Sequence, residues 1–362
     1  MKISELVLFN FRLFEYCQFS FVDGINVITG ANGQGKTSVL EAIALFALGK
    51  SVRARQDGDV IQFGQPSAQL RIGIKGKNQI NQLAVKITDK GKQIAVNHVR
   101  KGSIMDLIGK FQMVLFTPDD LDMIKGSPDG RRKFLNQYMA QIPGDLIQNV
   151  RTYQRLLIQR NLLLKQRQFS AVPTWDESLS EIGAKITYDR GIFVEKISDF
   201  AKRRYQQLAT DEEVLDILYR PSVEGITLSD IAKQMAEGLM KNFAKDKEKG
   251  FTSIGPHRDE LIFSIEDRPA ARYASQGQIR SAVLAVKIAL MDYFQTMTGE
   301  YPVLLLDDVL SELDAHRRSA LMGMIQKTQT IMTVSDWRDV QGINGETGRI
   351  FEVAHGIIKN ER

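Results

Sequence analysis

Apolar residues dominate three early stretches, ISELVLFNF, YCQFSF and INVIT, which are rich in β-branched and aromatic side chains and separated by polar turns. The pattern predicts three strands. After GANGQGKT the apolar period lengthens to about 3.6 residues, with Val39, Ile43 and Phe46 on one face and Gly49 as the stop, so a helix follows. From about 68 to 98 the chain alternates again, LRIGIKG and then QLAVKITDKGKQIAVNHV, with DKGK as a hairpin turn and the strands antiparallel. Thr117-Pro118-Asp119-Asp120 and Ser127-Pro128-Asp129 each place a hydroxyl at an N-cap and proline at the first helical position. Residues 145 to 210 then carry Val150, Tyr153, Leu157, Leu163 and Leu164, and Ile182, Ile186 and Ile192, at helical spacing. Beyond 298 a strand (VLLLDD), a helix (AHRRSALMGMIQ), a strand (TIMTVS) and a hairpin (RIFEVAHGIIK) restore α/β character, and the first and last segments are expected to share one sheet. The division expected is an α/β lobe over 1–112 and 298–362, with an inserted, mainly helical lobe over 113–297.

At 362 residues, 43% hydrophobic and 25% charged, the chain falls among soluble globular proteins with a sizeable core, without low-complexity runs or repeats. The single cysteine, Cys17, excludes an internal disulfide. The first twenty residues lack a secretion-signal layout and no window holds eighteen consecutive apolar residues, so a cytoplasmic protein without membrane contact is expected. Net charge +5 and a pI near 9.1 modestly favour polyanionic partners. His98, His257, His316 and His355 lack metal-ligand spacing.

Chemistry concentrates at three places. Gly30-Ala31-Asn32-Gly33-Gln34-Gly35-Lys36-Thr37 fits G-x-x-x-x-G-K-[ST] between an apolar strand and a helix. In such a loop backbone N–H groups cradle phosphates at the helix's positive end; Lys36 reaches the terminal phosphates and the Thr37 hydroxyl binds Mg²⁺. Ser38 is either a second phosphate contact or a plain helix residue. The apolar strand Val303–Leu306 delivers Asp307, expected to hold Mg²⁺ through water, and Asp308, the candidate base that orients the attacking water or else a helix N-terminal acid. Finally, Ser275-Gln276-Gly277-Gln278 opens a helical pattern with more polar residues than one cap needs. Ser275 with Gln278 reads as a capping box, and Ser275, Gly277 and Gln278 also read as an anion-binding helix tip. One loop already takes the near side of the triphosphate, so the second tip is best used from a neighbouring protomer, making ATP the glue of a homodimer.

That order of motifs resembles the ATP-binding cassette (ABC) fold, whose signature begins Ser-x-Gly before the acidic strand, with Ser311-Glu312-Leu313-Asp314 in the place of its D-loop. Asn10-Phe11-Arg12 upstream of the glycine loop points to the DNA-repair and chromosome-maintenance branch and implies that Arg12 approaches the nucleotide. Within that branch the chain resembles the RecF family along nearly its whole length. The matching stretches are Pro118–Leu121, Gly126–Leu135, Ile254–Asp259, Ser275–Gln278, Leu306–Asp308 and Ser311–Asp314; Asn136 and Ile279 depart from the family pattern. The resemblance implies an α/β, ABC-type P-loop ATPase head with a mixed sheet, an inserted helical lobe and no long coiled coil. It further implies ATP and Mg²⁺ as cofactors, and an ATP-dependent homodimer on double-stranded DNA and single-strand/double-strand junctions. RecR, RecO and RecA are the implied partners in recombinational repair. The family supplies no switch histidine after TIMTVS, leaving Thr333 or Ser335 for the γ-phosphate side. His257-Arg258 either lines the nucleotide interface or builds a turn, and Arg131-Arg132-Lys133 either contacts phosphate or sits on a solvated helix. Lys50, Arg53, Arg55, Arg71, Lys75, Lys77, Arg151, Arg155, Arg160, Lys165 and Arg167 are the basic residues available to a DNA backbone. The alternatives are an ABC transporter subunit, which usually carries Glu where this chain has Asp308, and a small-molecule kinase.

Overall fold

Strands β1 (Lys2–Phe11), β2 (Phe14–Ser20) and β3 (Ile25–Thr29) precede helix α1 (Lys36–Leu48), and β4 (Ser67–Lys75), β5 (Ile80–Thr88), β6 (Gly91–Val96), β7 (Val99–Lys101) and β8 (Met113–Phe116) follow it. Then come α2 (Asp122–Lys125), α3 (Pro128–Met139), α4 (Leu146–Lys165), α5 (Asp176–Leu208), β9 (Leu215–Arg220), α6 (Leu228–Lys241), α7 (Phe243–Lys249), β10 (Glu260–Ile265), β11 (Arg268–Pro269) and α8 (Ala270–Tyr273). Helix α9 (Gln276–Thr298), β12 (Val303–Asp307), α10 (Ala315–Ile325), β13 (Thr330–Val334), β14 (Arg349–Ala354) and β15 (Ile357–Glu361) complete the order. This is a computed structural model, describing residues 1–77, 80–209, 213–310, 313–335 and 348–361. The chain divides into two units, Met1–Asp120 with Leu284–Arg362, and Leu121–Val283.

In the first unit an antiparallel sheet of order β2-β1-β4-β5-β6-β7 and a mixed sheet of order β15-β14-β3-β13-β12-β8 share one core. Helix α1 contacts β4 of the first sheet and β12, β13 and β8 of the second. Nearly every α1 side chain from Lys36 to Ala47 is buried, as expected of a helix covered on all sides rather than on one stripe. Leu6, Leu8, Leu70 and Ile72 meet it from the antiparallel sheet, and Leu305 and Ile331 from the mixed sheet. Each such side chain contributes roughly 1.5–3 kcal/mol by leaving water. Gly49, left-handed at φ 71°, ends the helix as its sequence position predicts.

Two expectations need correction. The first and last segments do not share one sheet throughout: only β3 joins β12–β15, while β1 lies between β2 and β4 in the antiparallel sheet. A hairpin partner is available to β1 at once through Phe11↔Phe14, whereas β3 is followed by the glycine loop and needs parallel neighbours from far along the chain. The boundary expected at 112/113 also falls too early, because Met113–Phe116 forms β8, paired in parallel with Val303–Leu306. Four buried apolar residues between turns carry no period that separates strand from helix.

The second unit is built on α4 and α5, which pack together, with α6 against α5. It also holds a three-stranded sheet, β11-β10-β9, that the helical reading overlooked. Its interior is unusually charged. Arg160, fully buried, donates to Asp176 at 2.7 Å, Asp246 at 2.8 Å and Thr252 at 3.0 Å. Arg190 donates to the Pro256 carbonyl at 2.7 Å and lies 3.4 Å from buried Asp259. Burying such ions costs several kcal/mol each unless they are paired, so these contacts hold one another in place. Arg131 forms a fork on Glu260 at 2.7 and 3.1 Å and Arg132 donates to the Asp259 carbonyl at 2.9 Å, so both serve this framework, while exposed Lys133 pairs with Asp129.

His257 belongs to the same framework, in the turn after Gly255-Pro256. Its Nε2 lies 3.1 Å from the Thr252 carbonyl, which can only accept, so Nε2 carries the proton and Nδ1 accepts from the Tyr153 hydroxyl at 2.8 Å. Burial, opposed by the Thr252 carbonyl and aided by Arg258 and Arg132, pushes His257 down from 6.5 to about 4. The unfolded chain therefore takes up a proton near pH 6.5 that the folded chain refuses until about pH 4. The His257 contribution is complete above pH 6.5 and is lost as pH falls towards 4, by up to about 3 kcal/mol. Urea unfolding followed across this window should show the loss in the native chain and a flatter profile in His257→Gln; equal profiles would contradict the neutral assignment.

Candidate functional site

Strands β3, β13 and β12 lie side by side in parallel, with Thr29 opposite Val334 and Thr333 opposite Asp307. Their carboxyl ends therefore open on one edge of the sheet, where ligands bind in open α/β folds. The chain leaves β3 into the glycine loop, β12 into Asp308 and β13 into Ser335, so the phosphate loop, the acidic pair and the Thr333–Ser335 strand end meet there. At Gly30, φ 152°, an added Cβ would lie 2.2 Å from the Val353 carbonyl oxygen. At Gly35, φ 104°, it would press on the Phe14 ring at 3.2 Å, so both positions require glycine. Gly35 is the N-cap of α1, has no side-chain cap, and no acid sits in the first turn, which leaves the positive helix end uncompensated. Asn32 and Gly33 are open to solvent, and Gln34 accepts from the His355 N–H at 2.7 Å, tying the loop to the β14–β15 turn.

Lys36, buried, folds back on its own loop and donates to the carbonyls of Gly30 and, at 3.2 Å, Ala31. Burial lowers its pKa, and the charges of Asp308 and Asp307 oppose that shift. Thr37 Oγ1 donates to Asp307 Oδ1 at 2.8 Å, and Thr333 Oγ1 donates to the same oxygen at 2.8 Å. Ser38 is buried in the first turn of α1. Asp308 has a left-handed backbone, φ 54°, its N–H donating to the Thr333 hydroxyl at 3.0 Å. Ser335 Oγ lies 3.2 Å from both Asp308 Oδ2 and Asn32 Oδ1. A non-glycine residue held at positive φ stores strain of the kind that collects at functional sites. Among the described residues no three His, Cys, Asp or Glu side chains cluster to enclose a metal. One carboxylate beside one hydroxyl instead suits Mg²⁺, which keeps waters and takes phosphate oxygens as ligands.

Arg12, also left-handed at φ 54°, stands in the β1–β2 turn, whose Leu13 and Phe14 lie against Gly35. Its Nε and Nη2 form a fork on Glu41 at 3.0 and 2.6 Å, and Nη1 donates to the Asp59 carbonyl at 2.7 Å. Glu41 raises its pKa first through that hydrogen bond, with burial opposing. The sequence reading missed Glu41; the signal was a lone carboxylate in the otherwise apolar helix VLEAIALFAL. Thr333 and Ser335, named only as alternatives, both reach the carboxylate pair.

In the second unit the capping box at α9 is present: Ser275 Oγ accepts the Gln278 N–H at 3.1 Å and Gln278 Oε1 accepts the Ser275 N–H at 2.7 Å. Gln278 Nε2 donates to Glu213 at 2.6 Å, so both ends of its amide are engaged, whereas Ser275 is exposed and Gly277 partly so. Of the D-loop expectation, Ser311 and Glu312 lie outside the described residues; Asp314 caps α10, accepting the Arg317 N–H at 2.9 Å.

Comparison with known proteins agrees with this geometry. The family model described as RecF/RecN/SMC N terminal domain matches residues 2–351. The chain is 36% identical over 373 residues to the DNA replication and repair protein RecF of Halalkalibacterium halodurans, covering 100% of both chains. It is 35% identical over 361 residues to that of Clostridium novyi, covering 99% of each. Among solved structures, the recombination mediator protein RecF with ATP in the RecFOR pathway superposes with TM-score 0.91 at 30% identity, over 100% of this chain and 99% of that one. An Smc head bound to the C-winged helix domain of ScpA, 16% identical over 100% and 98% of the two chains, shares the fold at TM-score 0.59. The transporter and kinase readings give way: with an α/β ABC-type ATPase head, an inserted helical lobe and full-length likeness to these relatives, the chain belongs to the RecF family of DNA replication and repair proteins.

Proposed function

We propose that two copies of this ATPase close over ATP on double-stranded DNA and that hydrolysis releases them, assisting RecA loading with RecR and RecO at gaps and single-strand/double-strand junctions. The observation that carries the reading is the Thr37–Asp307 contact of 2.8 Å beside the uncapped, glycine-led end of α1. Backbone N–H groups from Gly33 to Ser38 bind the phosphate oxygens, with Ala31 and Asn32 shaping the loop. Lys36 exchanges the Gly30 and Ala31 carbonyls for the terminal phosphates, a trade of neutral acceptors for charged ones. Arg12 contributes the guanidinium N–H groups that Glu41 and the Asp59 carbonyl leave over. Thr37 and Asp307 would hold Mg²⁺, which neutralises charge on the phosphates when bound. Asp308 orients and accepts a proton from the attacking water, with the Ser335 hydroxyl beside its carboxylate at 3.2 Å.

ATP can favour the dimer only through contacts that exist there and not in the monomer. Ser275 and the Gly277 backbone supply them, offered to the partner's triphosphate at the tip of α9, with Gln278 keeping the tip formed. The full-length likeness to RecF chains solved with ATP supports the nucleotide, and the basic pI of 9.1 supports DNA as partner and, with it, a nucleoid-associated location.

Asp308→Asn should slow ATP hydrolysis by roughly 10² to 10⁴ fold, the usual worth of a general base, while fluorescent-nucleotide binding persists. Unchanged turnover would remove Asp308 from this role. Ser275→Arg should keep nucleotide affinity but abolish ATP-induced dimers in sedimentation velocity, whereas Ser275→Asn, an equal helix cap, separates loss of capping from loss of the partner contact. Dimers that survive in Ser275→Arg would refute the trans arrangement.

A further inference from the structure

The antiparallel sheet has one face in the core and one in water. Its register fixes the outer rows. Gln18, Val7, Arg71, Ala84, Ala95 and Arg100 stand opposite one another across β2, β1, β4, β5, β6 and β7. The neighbouring row is Tyr16, Phe9, Gln69, Lys86 and Gln93. Beneath them Leu70, Ile72, Leu83 and Val85 point into the core. Arg71 and Lys86 are therefore diagonal neighbours about 7–8 Å apart, and Arg71 is three strand spacings, about 14 Å, from Arg100.

These cations lack the cross-strand acids that normally accompany them. Arg71, Lys86 and Arg100 are exposed, and none has an ion-pair or hydrogen-bond partner among the described residues. The carboxylate within the outer rows is Glu5, one row away, whose side chain lies over Gly73. Charges on a sheet often serve to protect an edge from pairing. Arg71 and Lys86 cannot be explained so, because β4 and β5 are interior strands. Between them the floor is Ala84 and Ala95, half-buried, with no pocket-filling side chain and Gln18, Gln69 and Gln93 around it. An acidic protein segment would seek apolar anchors at the centre of its docking site. The exposed rings of Phe9 and Tyr16 stand to one side, on β1 and β2, while the guanidinium, ammonium and amide donors of β4 to β7 match phosphate oxygens, which accept from these groups without regard to base sequence.

We propose that this outer sheet face, centred on Arg71, Lys86 and Arg100, is a docking surface for the phosphate backbone of duplex DNA. The assignment rests on the DNA-binding reading above and adds the place.

The test uses the full chain with ATP and a duplex of mixed sequence, binding being measured across a salt series. Arg71→Gln/Lys86→Gln/Arg100→Gln should reduce the slope of log affinity against log salt by about 2 to 3, since each phosphate contact contributes about 0.9. Ala84→Lys, which adds a cation to the middle of the row, should raise the slope by about 1. Hydrolysis without DNA should be unchanged in both, and because Ala84→Lys gains rather than loses binding, misfolding cannot mimic it. If the native chain shows no ATP-dependent duplex binding, the DNA reading itself fails. If it binds and both variants keep its affinity and slope, the face is assigned wrongly, including the case in which it serves an acidic protein segment.

Discussion

Helix α1 has almost no side that faces water, and that single constraint organises the first unit. A helix apolar all round cannot be covered by one sheet, so residues from both ends of the chain must supply two, the antiparallel sheet on one side and the mixed sheet on the other. Because the helix is clamped along its length, its first turn is immobilised too, and the glycine loop that enters it inherits a fixed position. The helix opens on a glycine with no side-chain cap and no acid in its first turn, so the N–H groups at this end are placed to receive an anion.

The same clamping explains why charged groups occur so deep near the loop. Glu41 sits on α1 among leucines and alanines and is tolerated because Arg12 covers both of its oxygens and Ser51 donates to one of them. The fork ties the β1–β2 turn to the helix, and that turn in turn supports Gly35 through Phe14. On the opposite side, Thr37 and Thr333 converge on one oxygen of Asp307, joining helix, β13 and β12 in a small polar knot at the edge of an apolar sheet. The chemistry is therefore placed by packing: apolar burial fixes the elements, and short hydroxyl–carboxylate bonds set the last ångström.

The second unit follows another rule. Its interior is held by arginines, Arg160 paired with Asp176 and Asp246 and Arg190 paired with Asp259. Such groups add specificity more than net stability, since a misplaced helix would strand a buried charge. Several residues that look like ligands of a polyanion in the sequence, Arg131, Arg132 and Arg160 among them, are consumed by this framework. Arg71 and Lys86, on a plain antiparallel sheet, are not.

The sequence by itself determined the glycine loop, its flanking strand and helix, the acidic strand end, the signature cap at Ser275 and the family likeness, because each is a local pattern whose residue types are dictated by backbone geometry or hydrogen bonding within a few positions. The hairpin turn at DKGK and the stop at Gly49 are legible for the same reason. What only the tertiary structure decided was partnership across long intervals: that β3 leaves β1 and β2 for the other sheet, that β8 joins the strand of Asp307, that Glu41 grips Arg12, and that Thr333 shares the Asp307 oxygen with Thr37. These depend on which apolar faces meet, and a period of two or 3.6 says only that a face exists, not what covers it. Whether an arginine is spent on a buried aspartate or left in water is fixed by the same long-range pairing, which is why charge alone could not separate Arg160 from Arg71.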